Sequence, residues 1–203
     1  NCFVLRKIKK GNTIMTDREF IDFLDLAEKM KCFTRHSWTS TGRKESVAEH
    51  SWRLALMALL LEREIEGVDF QKIIKMCIIH DLGEAITGDI PSFLKTREDS
   101  SKEEKAILAL LKKLPSPQRE DMQLLFEEME QKQTMEAKIY KALDRLEAVI
   151  QHNEAPISSW LELEYDLQQS YGWQEAQVHE RLRQLRQTAK EDTIAKIEKE
   201  AKQ

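Results

Sequence analysis

Residues that interrupt helices are scarce in this chain of 203 residues, which contains six glycines and four prolines. Apolar side chains recur at intervals of three and four residues, and the alternation that is typical of a strand is nowhere sustained. Both features favour long helices joined by short loops. The sequence therefore predicts an all-α fold. Its length is enough for one domain with a sizeable core and too short for two ordinary domains and a linker.

The predicted helices are separated by loops that glycine, proline or polar residues mark. The first helix, at residues 17–31, begins after Thr16, a residue type that caps helices. Ser46 and Glu49 form a capping box at the start of the second helix. Further helices are predicted at residues 70–82, 102–114, 117–132, 135–153 and 174–201. The polar stretch 34–45 is interpreted as a loop.

The chain divides into three predicted segments. Residues 1–15 are interpreted as an extension that is non-native or loosely ordered, because Met15 followed by a helix cap looks like a natural start. Residues 16–170 form the predicted domain. Residues 171–203 contain a charge-rich C-terminal helix, whose spaced apolar residues can pack on the domain or on a partner. A solvated tail is the alternative interpretation of its end.

Charge and cysteine content limit the partners and the compartment of the protein. A formal net charge of −4 gives no global attraction for a nucleic acid polymer or an anionic membrane, although it does not exclude a local basic patch. No run approaches the roughly 20 apolar residues of a membrane span. The three cysteines show no CxxC spacing, which fits a reducing, cytoplasmic location.

Histidines and carboxylates fall on the apolar faces of several predicted helices. His80 and Asp81 end an apolar helix, His50 lies on an apolar stripe, and Asp144 shares a helix face with Tyr140. Burying any of these groups without a partner would cost several kcal/mol. A histidine capped by its carboxylate neighbour, or a hydrogen-bonded core histidine, explains each residue alone. One cation bound by two imidazoles and two carboxylates would satisfy all four together.

Four sequence blocks resemble the H…HD…D signature of the HD-domain phosphohydrolases. The blocks are Glu45-Ser-Val-Ala-Glu-His50, Ile79-His80-Asp81-Leu-Gly-Glu84, Thr87-Gly-Asp89-Ile-Pro91 and Lys141-Ala-Leu-Asp144. Within that superfamily they are similar to the bacterial 5′-deoxynucleotidases and their eukaryotic HD-domain relatives. The resemblance covers residues 20–156. It implies a single-domain HD-type helical bundle at residues 16–170, followed by the long C-terminal helix.

The resemblance also implies a metal centre. Its ligands fall on His50, His80, Asp81 and Asp144, and the mixed histidine and carboxylate set suits manganese, cobalt, nickel, iron or zinc. Some members of the superfamily bind two metals with additional histidines. The remaining histidines of this chain do not match those positions, so one divalent metal ion is expected.

Catalytic and substrate-binding residues follow from the same resemblance. Glu84 is expected to be the acid/base residue, and Asp89 an active-site carboxylate, although an exposed helix-end glutamate and a plain turn aspartate are the alternatives. Arg35 occupies the place of an arginine that contacts phosphate or sugar. The relatives follow this arginine with a tryptophan. Here His36 follows it, and Trp38 lies two residues further on.

Lys95 and Lys141 could add charge for binding a phosphate, although lysines near loops are usually solvated. Together with these residues, the resemblance implies an enzyme that removes the phosphate from a nucleoside, or deoxyribonucleoside, 5′-monophosphate. The alternatives are a phosphohydrolase for another phosphate ester or a signalling nucleotide, and a non-catalytic helical binding protein stabilised by metal. The expected partner is a small-molecule nucleotide. Resemblance and the remaining apolar helix faces favour a homodimer.

Overall fold

A computed structural model describes residues 14–200 of the chain. This part is a helical bundle with one small antiparallel sheet, which confirms the prediction of an all-α fold. The helices are α1 (Asp17–Ala27), α2 (Lys29–Cys32), α3 (Val47–Leu61), α4 (Phe70–Ile79), α5 (Glu84–Thr87), α6 (Arg97–Leu111), α7 (Gln118–Gln131), α8 (Met135–Glu154), α9 (Glu164–Ser170), α10 (Trp173–Ala176) and α11 (Glu180–Glu200). A 3₁₀ turn covers Ile157–Ser159, and the strands are β1 (Thr34–Trp38) and β2 (Lys44–Ser46). Most of the predicted N-terminal extension, residues 1–13, lies outside the described residues.

Helix α8 lies at the centre of the bundle and contacts α3, α4, α7, α10 and α11. Its apolar residues recur at helical spacing, so that Ile139 and Leu143 are fully buried together with Leu54 of α3 and Ile73 of α4. The opposite face of α8, which carries Asp144, also turns inward. Three central helices therefore present their polar residues to a common interior region.

The predicted capping signals are confirmed at both helix starts. Thr16 and Glu19 form a capping box before α1, and Ser46 and Glu49 form one before α3. Two of the helices predicted as continuous are each interrupted in the structure. Glu28 separates α1 from α2, and residues 177–179 separate α10 from α11.

The prediction of a loop over residues 34–45 was wrong. Strands β1 and β2 form an antiparallel hairpin within this stretch, with Gly42 in its turn at a φ of 80°. The strands are short and mostly polar, so their sequence shows no apolar alternation. The carbonyl of Trp38 accepts a hydrogen bond from Gln151 of α8, and this contact ties β1 to the central helix. The hairpin thereby places Arg35 and His36 beside α8.

Helix α11 packs on the bundle through a buried arginine. Arg186 is completely buried and donates hydrogen bonds from Nε to the Tyr171 carbonyl and from Nη2 to the Gln168 carbonyl. These bonds hold α9 and the turn after it against α11. Gly172, in that turn, has a φ of 72°, and a Cβ atom there would lie 2.6 Å from Arg145 Cβ. Only glycine therefore allows the turn to approach α8 so closely.

Replacing Arg186 with alanine is expected to lower the free energy of unfolding by about 3 kcal/mol, because one buried and one partly buried carbonyl lose a charged donor. Urea unfolding followed by circular dichroism measures this loss. Arg183→Ala is the matched control, because Arg183 is exposed on the same helix, and its effect should stay within about 0.5 kcal/mol. Equal stability of the two variants would contradict the anchoring role of Arg186.

None of the helices within residues 14–200 combines the length and the apolar character that crossing a membrane requires.

Candidate active site

Two histidines and two aspartates bring one donor atom each to the same region between α3, α4 and α8. The Nε2 atoms of His50 and His80 lie 3.2 Å apart, and Asp144 Oδ1 lies 3.2 and 3.8 Å from them. Asp81 Oδ2 lies 2.9 Å from His80 Nε2 and 3.9 Å from His50 Nε2. Bonds of about 2.1 Å to a shared cation place adjacent donors about 3 Å apart and opposite donors about 4 Å apart. The donor atoms of His50, His80 and Asp144 lie within 4.8 Å of one another and fit a divalent cation, and Asp81 adjoins the two histidines.

The hydrogen bonds of the two histidines also fit a cation site. His80 Nδ1 lies 2.9 Å from the Cys77 carbonyl, and His50 Nδ1 lies 2.5 Å from Glu147 Oε2, so each Nδ1 donates its proton away from the cluster. Burial and the charge of Arg35 oppose ionisation of His50, yet the carboxylates of Glu147 and Asp144 raise its pKa to about 9. The cluster therefore favours a positive charge at the position that the two Nε2 atoms and Asp144 share, and a divalent cation can supply that charge.

Lys141 keeps the aspartate of α8 ionised. Burial opposes the charged form, but the Lys141 ammonium, 2.6 Å from Oδ2, holds the pKa of Asp144 well below its usual range. Because Lys141 contacts Oδ2, the other oxygen of Asp144 stays directed at the two histidines.

Glu147 also supports the cluster, although the sequence did not lead to its prediction. It lies three residues after Asp144 on α8, is completely buried, and accepts the Nδ1 proton of His50. Its carboxylate also lies 3.6 Å from both Arg35 and Arg53. One sequence feature could have identified it: a glutamate that lies one helical turn from a predicted ligand, within a stripe that is otherwise apolar. Glu147 sets the orientation and tautomer of His50.

Glu147→Ala is expected to weaken the affinity for Mn²⁺ by about 10- to 100-fold, because His50 loses the acceptor that orients its ring. Titration calorimetry of chelator-treated protein measures this affinity. Glu154→Ala is a control on the same helix, since Glu154 pairs with Arg53 but does not contact His50. A Glu147→Ala protein with unchanged Mn²⁺ affinity would contradict the assigned role.

Glu84 lies beside the cluster without belonging to it. It is the first residue of α5, it is 6% exposed, and its Oε2 has no hydrogen-bond partner. Carboxylate oxygens of Asp81, Glu84 and Glu103 lie within 4.8 Å of one another. Burial and the charges of Asp81 and Asp89 raise the pKa of Glu84 to about 10. The alternative of an exposed helix-end glutamate therefore does not hold.

Asp89 is held by the hairpin. Its carboxylate accepts a hydrogen bond from the backbone N–H of His36, and burial raises its pKa. Asp89 and Glu84 both line a cavity of about 190 Å³ that also reaches Asp81 and Asp144.

Four of the five predicted substrate-binding residues line this cavity. They are Arg35, His36, Lys95 and Lys141. Trp38 is not among the lining residues, and its ring meets the edge of the His36 ring at 4.9 Å.

Two acidic side chains hold the guanidinium of Arg35 in place. Its Nη1 lies 3.1 Å from Glu45 and 3.6 Å from Glu147. Lys95 is already paired with Glu103. The charged wall of the cavity is therefore fixed by partners before any ligand binds.

The cavity continues beyond the residues that the sequence analysis singled out. Its further lining includes Arg145, Ala148, His152, Glu164, Gln168 and Tyr171. Most of these residues come from the second half of α8 and from α9. No motif marks them, because they become neighbours only when α9 folds back onto α8.

This geometry defines a helical protein with a histidine and aspartate cluster at the base of a charged cavity, and comparison with known proteins agrees. The family model described as "HD domain" matches residues 27–186. Human 5′-deoxynucleotidase HDDC2 is 31% identical over 141 residues, 68% of each chain. The Dictyostelium discoideum protein of the same name is 33% identical over 145 residues, 66% of this chain and 76% of the relative. The chain belongs to the HD-domain family, which confirms the resemblance seen in its sequence.

Two solved structures share the fold. A predicted metal-dependent phosphohydrolase from Magnetospirillum magnetotacticum MS-1 superimposes with a TM-score of 0.75 at 24% identity, covering 90% of this chain and 97% of the other. A conserved hypothetical protein from Pyrococcus furiosus superimposes with a TM-score of 0.61 at 32% identity, covering 82% and 99%.

Proposed function

We propose that this chain is a metal-dependent phosphohydrolase that removes the phosphate from nucleoside 5′-monophosphates, including deoxyribonucleotides. One observation carries the proposal: donor atoms of His50, His80 and Asp144 suited to a cation, with Asp81 beside them, lie at the base of a cavity that also presents fixed basic side chains and a buried carboxyl. Relatives that are about one-third identical are named 5′-deoxynucleotidases, which supports the same activity and substrate class here.

We propose a single divalent cation, drawn from manganese, cobalt, nickel, iron and zinc, with His50, His80, Asp81 and Asp144 as its ligands. When bound, such a cation lowers the pKa of a water molecule and neutralises charge on a phosphoryl group. The two Nε2 atoms and the ionised Asp144 are already oriented for this role.

Basic residues recognise the phosphate in this proposal. Arg35 offers a guanidinium fork to a phosphate dianion, while Glu45 and Glu147 keep that fork in place. Lys141 and Lys95 add positive charge along the same wall. Lys95 is paired with Glu103, so a phosphate must compete with that carboxylate for Lys95.

Glu84 is proposed to transfer protons. Its raised pKa keeps the carboxyl protonated at neutral pH, so that it can donate a proton to the leaving 5′ oxygen. Neutralisation of Asp81 by a cation would lower that pKa toward the working pH, which would make the proton easier to donate. Asp89 is proposed to line the reaction space and to fix His36 through its backbone.

The remaining sequence predictions are proposals as well. They are a cytoplasmic location, the absence of a nucleic acid polymer among the ligands, a homodimer, and a domain boundary near residue 170. Light scattering of the purified chain would test the homodimer.

Phosphate release from a panel of ribo- and deoxyribonucleoside 5′-monophosphates tests the proposed function. The protein is treated with a chelator and refilled separately with Mn²⁺, Co²⁺, Ni²⁺ or Zn²⁺. Metal-dependent release from nucleotides is the expected result. Release only from other phosphate esters, or no release from metal-loaded protein, would contradict the proposal and favour another ester or a binding role.

A further inference from the structure

One end of the cavity lies away from the proposed cation ligands and has no assigned role. Helix α8 connects the two ends, because Asp144, Ala148 and His152 all line the cavity at intervals of four residues. The rise from Asp144 to His152 is about 12 Å at 1.5 Å per residue. This length is comparable with that of a nucleotide from its phosphate to the far edge of its base.

One polar atom at this far end has no partner. The two histidines there, His36 and His152, direct Nε2 at the two oxygens of buried Glu164, at 3.2 and 3.3 Å. Gln168 Oε1 has no partner at all, although Gln168 is only 6% exposed. A buried unpaired group of this kind destabilises the folded protein and needs an explanation.

The surroundings of these atoms suit a flat ring with a polar edge. Phe93, Leu167 and Tyr171 contribute apolar walls, and Ala148 leaves space on the floor. The Phe93 ring meets the edge of the His36 ring at 5.7 Å. Aromatic walls with a few polar groups are typical of sites that bind small cyclic ligands.

We propose that Gln168, at the end of the cavity that His36 and His152 also line, binds the nucleobase of the substrate. The inference rests on the proposed nucleotidase function and identifies the part of the cavity that contacts the base. A carboxamide offers a donor beside an acceptor, and every nucleobase presents an acceptor beside a donor on one of its edges. Gln168 therefore favours nucleotides over phosphate esters that have no base. It does not favour one base over another.

Helix α9 is built to hold this side chain in place. The backbone carbonyl of Gln168 accepts a hydrogen bond from buried Arg186, and Glu164 accepts one from the Leu161 N–H at 2.7 Å. The amide is thus positioned from the backbone, while its own polar atoms are left for a ligand.

The test compares kcat/KM for deoxyadenosine 5′-monophosphate with kcat/KM for deoxyribose 5-phosphate, which lacks the base. In Gln168→Leu the ratio of the two is expected to fall roughly tenfold, because the base loses its hydrogen bonds to the amide. The melting temperature of the unliganded variant should stay equal or rise, since leucine removes a buried unpaired group. A purely structural role of Gln168 would instead lower the melting temperature and leave the ratio unchanged.

Gln169→Leu is the matched control, because Gln169 bonds to the Tyr165 carbonyl of its own helix and does not line the cavity. A Gln168→Leu ratio equal to that of Gln169→Leu would overturn the inference while leaving the nucleotidase function intact. A wild-type protein that hydrolyses deoxyribose 5-phosphate but no nucleotide would overturn the proposed function, and the inference with it.

Discussion

Replacing Asp144 with asparagine is expected to remove the bound cation and to lower kcat/KM for nucleotides by about a thousandfold or more. Asparagine keeps the shape of the side chain but loses the charge that a divalent ion requires, and the cation contributes several kcal/mol of charge stabilisation. The variant also leaves Lys141 without its carboxylate partner. Metal content by mass spectrometry and phosphate release measure the two effects on the same samples.

Asp192→Asn is the control for this experiment, because Asp192 is exposed on α11, which carries none of the proposed ligands. Circular dichroism and urea unfolding of both variants separate loss of metal from loss of fold. A folded Asp144→Asn protein that binds Mn²⁺ as tightly as the wild type would remove Asp144 from the proposed ligand set. Activity without bound metal would contradict the metal-dependent function as a whole.

The helices and their polar inward positions could be predicted because local patterns encode them. Capping residues fixed the starts of α1 and α3, and spacing on a helix placed His50 and Asp144 on buried faces. Burial of a charged or polar group demands a partner, so the four candidate ligands could be grouped before any distance was known. Within a single helix, the period of 3.6 residues per turn relates the position of a residue in the sequence to the direction of its side chain.

Features that depend on contacts between elements were not predictable in the same way. Strand β1 is mostly polar and is held in place by hydrogen bonds to β2 and to Gln151, so no apolar pattern marks it. Glu164 and Gln168 belong to a short helix that becomes part of the cavity only because Arg186 and Gly172 bring it onto α8. Their roles come from tertiary packing, which overrides local pattern.

Glu84→Gln is expected to keep the cation and lose the rate, by about a hundredfold to ten-thousandfold in kcat, which is the usual contribution of general acid–base catalysis. The amide has the size of the carboxyl, so the buried position beside Asp81 should still pack. Because glutamine does not titrate, it cannot exchange a proton with water or with the leaving oxygen. Metal analysis combined with steady-state kinetics on a nucleotide measures both quantities.

The pH dependence separates a proton-transfer role from a packing role. If the protonated carboxyl of Glu84 is the acid, the rate of the wild type falls as the pH rises through its pKa, and this limb is absent in Glu84→Gln. Glu103→Gln provides a control, because Glu103 shares the acidic cluster but pairs with Lys95. The Glu103→Gln variant should lose far less rate and should keep the fall in rate at high pH. Full activity in Glu84→Gln, or the same limb in both variants, would show that another group moves the proton, and Asp89, on the same cavity wall, would become the next residue to test.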